Sequence, residues 1–116
     1  MKLEGESVLL RVFLDTFQKW HHRPVYEALV ERARSERLAG ATVLSGVEGF
    51  GQRGELLRDS AWRLVNAREV VVELVDAPEK IEAFLASVEP MLRDAVVTLE
   101  RAQVVFYRAG KEGRDP

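Results

Sequence analysis

The pattern of hydrophobic and polar residues along the chain predicts four β-strands and two α-helices, in the order strand–helix–strand–strand–helix–strand. β-branched and aromatic residues concentrate in the stretches that we predict as strands. These are residues 8–14, 41–45, 69–76 and 102–107. Apolar residues recur at helical spacing after Pro24 and after Pro78, where a proline suits the first turn of a helix. This order predicts a mixed α+β domain.

The predicted strands are apolar on both sides. Because successive side chains of a strand face opposite sides of the sheet, Leu10 and Val12 lie on one face of the first strand, and Leu9 and Phe13 on the other. Two helices cover only one face of a four-stranded sheet, and at about 25 cal/mol per Å² an uncovered face would forfeit several kcal/mol. We predict that the second face packs against other copies of the chain. A parallel sheet with helices on both faces is the alternative.

Composition narrows the class of protein. The 116 residues are 47% hydrophobic and 31% charged, which is enough for one packed domain. A net charge of −2 argues against a dedicated nucleic-acid binder. The chain has no cysteine, which excludes disulfides, thiolate catalysis and cysteine-based zinc sites. A polar N-terminus and short apolar runs favour a cytoplasmic protein. We expect a domain over residues 1–108 and a flexible polar tail over 109–116.

A glycine-rich stretch follows the second predicted strand. Gly49-Phe50-Gly51-Gln52-Arg53-Gly54 fits the pattern G-x-G-x-x-G, and Asp76 ends a later strand roughly 20 residues further on, as dinucleotide sites require. One interpretation is therefore a small Rossmann-like NAD-binding enzyme. Against it, such a domain normally has more than four strands, and residues 55–67 show no clean helical pattern. A bulged strand end that needs glycine only for its shape is a further interpretation.

Three blocks of sequence resemble the PII-like signalling proteins. They are Arg-Pro-Val-Tyr-Glu at 23–27, Leu-Ala-Gly-Ala-Thr-Val-Leu at 38–44 and Gly-Val-Glu-Gly-Phe-Gly at 46–51. Val-Val-Glu-Leu-Val-Asp at 71–76 resembles the third PII strand. The resemblance extends over about residues 7–108. Within the superfamily the chain most resembles a small, poorly characterised bacterial branch that is often found beside fluoride-exporter genes.

The resemblance implies a ferredoxin-like βαββαβ sandwich that forms a homotrimer with its sheets facing inward. It also implies a ligand cleft between subunits, at the base of a loop over residues 51–63. PII-like proteins commonly bind adenine nucleotides there and pass the bound state to a transporter, channel or enzyme. No cofactor is required, and AMP or ADP is the expected effector. A trimer that serves only as a scaffold, with an empty cleft, is the alternative within this fold.

The residues expected to contact the ligand follow from the same resemblance. They are Gly49, Gly51, Gln52, Arg53, Glu73 and Arg93. The glycines would let backbone N–H groups approach an anion, and Gln52 and Arg53 would contact it. Glu73 stands where PII proteins contact the nucleotide, or it is simply an exposed charge on a strand. Arg93 would reach a phosphate across the subunit boundary, or it is a solvated arginine at a helix end.

Three departures from the PII pattern limit what can be transferred. Typical PII proteins grip phosphates with a basic, glycine-rich loop before the last strand, but residues 93–98 here include one arginine, no lysine and no glycine. A mono- or diphosphate, or another small anion, therefore fits better than a triphosphate. The loop from Gln52 to Arg63 has no tyrosine, so uridylylation is not expected. Arg37 replaces a helix-ending glycine, which predicts backbone strain.

Catalytic and metal-binding patterns do not emerge. In the basic segment Lys19-Trp20-His21-His22-Arg23, the tryptophan could stack on a base and a histidine could bind a metal. Adjacent histidines rarely ligate one ion and no acidic cluster completes a site, so we expect no metal and a polar loop near the cleft. The sequence also has no G-x-S-x-G and no H-E-x-x-H motif. We therefore predict a ligand-responsive binding protein rather than an enzyme.

Overall fold

The computed structural model describes residues 5–45 and 69–108, with two short backbone segments, 48–49 and 57–58, between them. It contains eight strands, two α-helices and a 3₁₀ turn within these residues. The strands are β1 (Gly5–Asp15), β2 (Lys19–Trp20), β3 (Arg23–Pro24), β4 (Ala41–Ser45), β5 (Glu48–Gly49), β6 (Leu57–Arg58), β7 (Glu69–Asp76) and β8 (Val96–Val104). The helices are α1 (Val25–Ser35) and α2 (Pro78–Val88), the latter followed by a 3₁₀ turn (Glu89–Met91). The predicted tail 109–116 lies outside the described residues.

The four long strands form one antiparallel sheet. Their order across the sheet is β4-β7-β1-β8, and each neighbouring pair runs antiparallel. Together with one helix after β1 and one after β7, this is the ferredoxin-like βαββαβ arrangement. The prediction of an α+β, ferredoxin-like fold is confirmed. An antiparallel sheet is incompatible with the Rossmann interpretation and with the parallel alternative, because both need parallel strands.

Both helices pack on the same face of the sheet. In β1 the buried residues alternate along the strand, and Leu10 and Val12 are fully enclosed. In β7 the alternation is just as regular, with Val72 and Leu74 buried. The helices contribute their apolar stripes to the same core, among them Leu29 from α1 and Phe84 from α2. Pro90 follows the end of α2 and lies in the 3₁₀ turn, as a proline that shortens a helix should.

The opposite face of the sheet, here called the open face, carries both apolar and charged side chains and has no helix on it among the described residues. Strand register places its large side chains side by side: Leu44, Val71, Phe13 and Val96 form one row across the four strands, and Leu9 and Val75 are paired further along. Leu44 and Val96 are each 48% exposed. The prediction of a second apolar face is confirmed in part: the apolar row is present, but Arg11, Glu73 and Glu100 lie on the same face. What covers the open face stays a prediction.

The last strand was predicted in the wrong place. We predicted residues 102–107, but β8 spans Val96–Val104 and so includes part of the segment that we expected to be a loop. The partner strand explains the shift, because β1 offers backbone pairing from Phe13, opposite Val96, to Gly5, opposite Val104. Val105, Phe106 and Tyr107 have strand-forming side chains but lie beyond the end of β1. They are all exposed.

A glycine-type turn ends α1, with arginine in place of the glycine. Arg37 has a φ of +61°. The Leu38 amide donates to the Ala33 carbonyl at 3.0 Å, and the Arg37 amide donates to the Arg34 carbonyl at 3.1 Å. These two hydrogen bonds define a Schellman motif, in which the left-handed position is usually glycine. The backbone strain predicted at Arg37 therefore has a structural basis.

Candidate functional site

A cleft of about 450 Å³ opens on the open face, beside the first residues of β4. Its walls come from the three adjacent strands β4, β7 and β1, from the loop that leads into β4, and from the chain at the end of β8. The lining residues are Leu9, Ala39, Gly40, Ala41, Thr42, Glu73, Val75, Val104 and Tyr107. Most of this lining is apolar, and Thr42, Glu73 and Tyr107 supply polar groups. Such a lining suits a small ligand with a flat apolar part and a few hydrogen-bonding groups.

Glu73 is held in place by an ion pair at the centre of the open face. Its Oε2 accepts a hydrogen bond from Nε of Arg11 at 2.8 Å, while Nη1 of Arg11 donates to Oε1 of Glu100 at 3.2 Å. The hydrogen bond to Glu73 is the main reason that the pKa of Arg11 is raised above its ordinary value, although partial burial opposes it and the charge of Glu100 adds to it. Glu73 and Glu100 thus share one arginine, but only Glu73 lines the cleft.

Asp76 fixes the chain segment that enters β4. This carboxylate is fully buried, with Oδ2 accepting from the Ala39 amide at 2.8 Å and Oδ1 accepting from the Ala77 amide at 2.7 Å. It therefore ties the cleft wall at Ala39 and Gly40 to the start of α2. Both oxygens are engaged inside the protein, so Asp76 is unavailable for the ribose contact that a dinucleotide site would need.

The structure places one of the six predicted ligand contacts in the cleft. Glu73 lines the cleft, whereas Gly49 belongs to β5, where it pairs with Leu57 of β6. Gly51, Gln52 and Arg53 lie outside the described residues. Arg93 is exposed in the bend before β8, on the far edge of the sheet from β4.

Sequence reasoning missed several lining residues. Thr42 lies in the block 38–44 that carried the resemblance, and its alternation with Ala41 and Val43 could have placed it on the open face. Leu9 was assigned to the correct face but not to a site. Tyr107 was missed because we predicted it to lie within the last strand, whereas β8 ends at Val104.

The basic segment after β1 forms a hairpin away from the cleft. Strands β2 and β3 pair through Trp20 and Arg23, and both His21 and His22 have positive φ, at 51° and 71°. The Trp20 and His21 rings stack with centroids 4.4 Å apart. None of these residues lines the cleft described above, because β1 is eleven residues long and the hairpin after Asp15 lies far along the strand from Leu9. The prediction placed this loop near a cleft at the base of residues 51–63, most of which lie outside the described residues, and it stays a prediction.

Sequence comparison places the chain in a family. The profile of DUF190, described as "Uncharacterized ACR", matches residues 7–104. The chain belongs to the DUF190 family. It is 34% identical over 98 residues to a UPF0166 protein of Aquifex aeolicus, covering 84% of this chain and 92% of that protein. It is also 28% identical over 89 residues to a UPF0166 protein of Methanocaldococcus jannaschii, covering 77% of this chain and 82% of that one.

Structural comparison shows that this DUF190 chain has the fold of PII-like proteins. CPII, a nitrogen regulatory PII-like protein from Thiomonas intermedia, matches with a TM-score of 0.65 and 16% identity over 85% of this chain and 88% of that one. That structure is bound to ADP, AMP and bicarbonate. A PII-like signaling protein from Thermus thermophilus matches with a TM-score of 0.60 and 19% identity, covering 90% of this chain and 94% of that one. The predicted PII-like resemblance is confirmed.

Proposed function

We propose that this DUF190 protein is a PII-like regulatory protein that binds an adenine mono- or diphosphate in the cleft on the open face. The observation that carries the proposal is the position of Glu73, which we predicted as a nucleotide contact and which lines an apolar cleft beside Thr42. The presence of ADP and AMP in CPII, which shares this fold, supports the choice of ligand.

Charge determines how such a ligand would lie. A carboxylate only accepts hydrogen bonds, so Glu73 suits the amino group of a base or the hydroxyls of a ribose and repels a phosphate. The base would therefore occupy the cleft, between aliphatic side chains such as Leu9 and Val75. The phosphates would point along β4, towards the segment that begins at Gly49. At about 3.3 Å per residue, Thr42 and Ser45 are separated by roughly 10 Å, which is about the length of a nucleotide.

The position of Arg93 supports a site that two protomers share. Within one protomer, β4 and β8 are the opposite edges of the sheet, separated by three strand spacings of about 4.8 Å, or roughly 14 Å in all. Arg93 precedes β8, at the other end of that strand from Val104, and does not line the cleft of its own chain. A neighbouring copy that covers the open face could bring its own Arg93 to the phosphate end. The predicted homotrimer would do this, and it would also bury the apolar row of the open face.

In this proposal the protein transmits the state of its ligand and performs no chemistry. We expect the protein to be located in the cytoplasm and its partner to be a membrane transporter or channel. A ligand shifts a conformational equilibrium only through different affinities for the two states, and residues 51–63 are the segment that we expect to respond. The proposal predicts no turnover. ATP or ADP incubated with the purified protein for hours should remain intact, as measured by chromatography of the nucleotides.

Calorimetry and thermal-shift titration test the binding. The purified protein is titrated with AMP, ADP, ATP, cyclic nucleotides and bicarbonate. We expect AMP or ADP to bind more tightly than ATP, because residues 93–98 offer one arginine for the phosphates. If the folded protein responds to none of these compounds, the nucleotide proposal is wrong and the scaffold alternative remains.

A matched pair of variants tests the role of Glu73. Glu73→Gln and Glu100→Gln each remove one of the two carboxylates that pair with Arg11, but only the first changes the cleft. Glutamine keeps an acceptor oxygen but loses the charge, and a hydrogen bond to a charged group contributes roughly 1 kcal/mol more than a neutral one, so Glu73→Gln should weaken AMP binding by about fivefold or more. Glu100→Gln should bind like the unmodified protein. Equal affinities for both variants would place the ligand elsewhere.

A further inference from the structure

Tyr107 follows the end of β8 and lines the same cleft as Thr42 and Glu73. Among the described residues that line the cleft it is the one aromatic residue. Its side chain is 42% exposed, which places it at the boundary between the cleft and solvent. An aromatic residue in this position can contact a flat ligand from the side that faces solvent.

The segment that carries Tyr107 is not part of the sheet. Strand β8 ends at Val104, opposite Gly5, and residues 105–108 follow it. Val105 and Phe106 are 69% and 66% exposed and do not line the cleft. The Arg108 guanidinium lies 4.2 Å from the centre of the Phe106 ring. Within residues 105–108, Tyr107 lines the cleft and the other three residues do not.

We infer that Tyr107 stacks on the base of the bound nucleotide and makes the cleft selective for ligands that carry an aromatic base. The inference rests on the proposed function and assigns a specificity-determining residue to that site. Stacking needs only a flat face on the ligand, so it complements the hydrogen bonds of Glu73 and Thr42, which recognise particular groups.

The experiment compares three variants of the full chain by calorimetry, with AMP and ribose 5-phosphate as probes. Tyr107→Ala removes the ring, Tyr107→Phe keeps the ring without the hydroxyl, and Phe106→Ala removes an aromatic ring from the same segment away from the cleft. We expect Tyr107→Ala to weaken AMP binding about tenfold, at the lower end of what base stacking contributes because the ring is partly exposed. Tyr107→Phe should lose clearly less AMP affinity than Tyr107→Ala, and Phe106→Ala should bind AMP like the unmodified protein. Light scattering on each variant checks that the oligomeric state is unchanged.

Ribose 5-phosphate separates stacking from a general loss of the site. It lacks the base, so Tyr107→Ala should bind it as well as the unmodified protein does. Equal AMP affinity in Tyr107→Ala and the unmodified protein would overturn this inference while leaving the proposed function intact. A loss in Tyr107→Phe as large as in Tyr107→Ala, or an equal loss in Phe106→Ala, would also overturn it. If the unmodified protein binds no adenine nucleotide, the proposed function fails and the inference fails with it.

Discussion

Arg37 shows how a single residue can be both poorly suited to its position and tolerated there. Its left-handed conformation closes the Schellman motif after α1, and its carbonyl accepts a hydrogen bond from Nζ of Lys80 at 2.9 Å. That bond joins the end of α1 to α2, but it uses only the backbone of Arg37. The side chain is exposed, so the motif gains nothing visible from an arginine at this point.

Replacing Arg37 with glycine should therefore stabilise the protein. Relief of left-handed strain is worth about 1–2 kcal/mol, and the greater freedom of glycine in the unfolded chain offsets about 0.4–1 kcal/mol of it. We expect the free energy of unfolding to rise by up to about 1.5 kcal/mol. Urea denaturation measures it. Arg34→Gly is the control, because Arg34 is an exposed residue inside α1 and its replacement should cost about 0.5–1 kcal/mol. A destabilised Arg37→Gly variant would contradict the account of this turn.

At the residue scale, the sequence predicted a cleft residue only where a motif or resemblance pointed to it. Glu73 was predicted because it is the charged residue in an apolar strand that resembles the third PII strand. Leu9 carries no such mark, and Thr42 was given no role although it lies in the block 38–44 of the resemblance. Their meeting in one cleft depends on β4, β7 and β1 lying side by side. Such adjacency between residues distant in sequence is a property of the sheet, which periodicity along one strand cannot reveal.

Helix α2 illustrates an element whose position the sequence predicted well. Its apolar residues recur at helical spacing, and Pro78 and Pro90 mark its two ends. Ile81, Phe84 and Val88 are buried as the spacing requires, and Leu85 is half-buried. Strand β8 shows the opposite case. Its bounds depend on the pairing with β1, whereas local propensity alone assigned strand to residues 105–107, which follow the end of β8.

Phe84 should contribute most to the attachment of α2. It is fully buried, and replacing a buried phenylalanine with alanine typically costs about 3–5 kcal/mol. Phe84→Ala should therefore lower the free energy of unfolding by several kcal/mol, measured by chemical denaturation at a fixed protein concentration. Leu85→Ala is the control on the next position of the helix, and its loss should be clearly smaller because the side chain is only half-buried. Similar losses would mean that α2 packs differently from the structure described above.

At the scale of the whole molecule, the open face determines the expected assembly. Leu44 and Leu99 are similar in exposure, at 48% and 54%, but they lie on opposite faces of the sheet. Leu44 is on the open face with Phe13, whereas Leu99 is opposite Leu10 on the helix-covered face. This contrast gives a direct test of which face is buried between copies.

We expect Leu44→Glu to break the trimer and Leu99→Glu to leave it intact. A carboxylate buried in an apolar interface without a partner costs several kcal/mol, whereas one at the exposed Leu99 position on the edge strand β8 costs little. Light scattering or sedimentation at micromolar concentration measures the mass of each variant. An unmodified protein that is monomeric under these conditions would overturn the predicted assembly. Dissociation of Leu99→Glu instead would point to the other face.

The placement of β4 and β8 at opposite edges of one sheet has a thermodynamic consequence. If a bound nucleotide touches one edge of each of two chains, occupancy and assembly become linked equilibria, and each must strengthen the other by the same factor. Dilution of the protein should then weaken its affinity for the ligand. The ligand should in turn keep the chains associated at protein concentrations where they would otherwise dissociate. The assembled, ligand-bound fraction of such a protein would depend both on the nucleotide concentration in the cell and on the concentration of the protein itself.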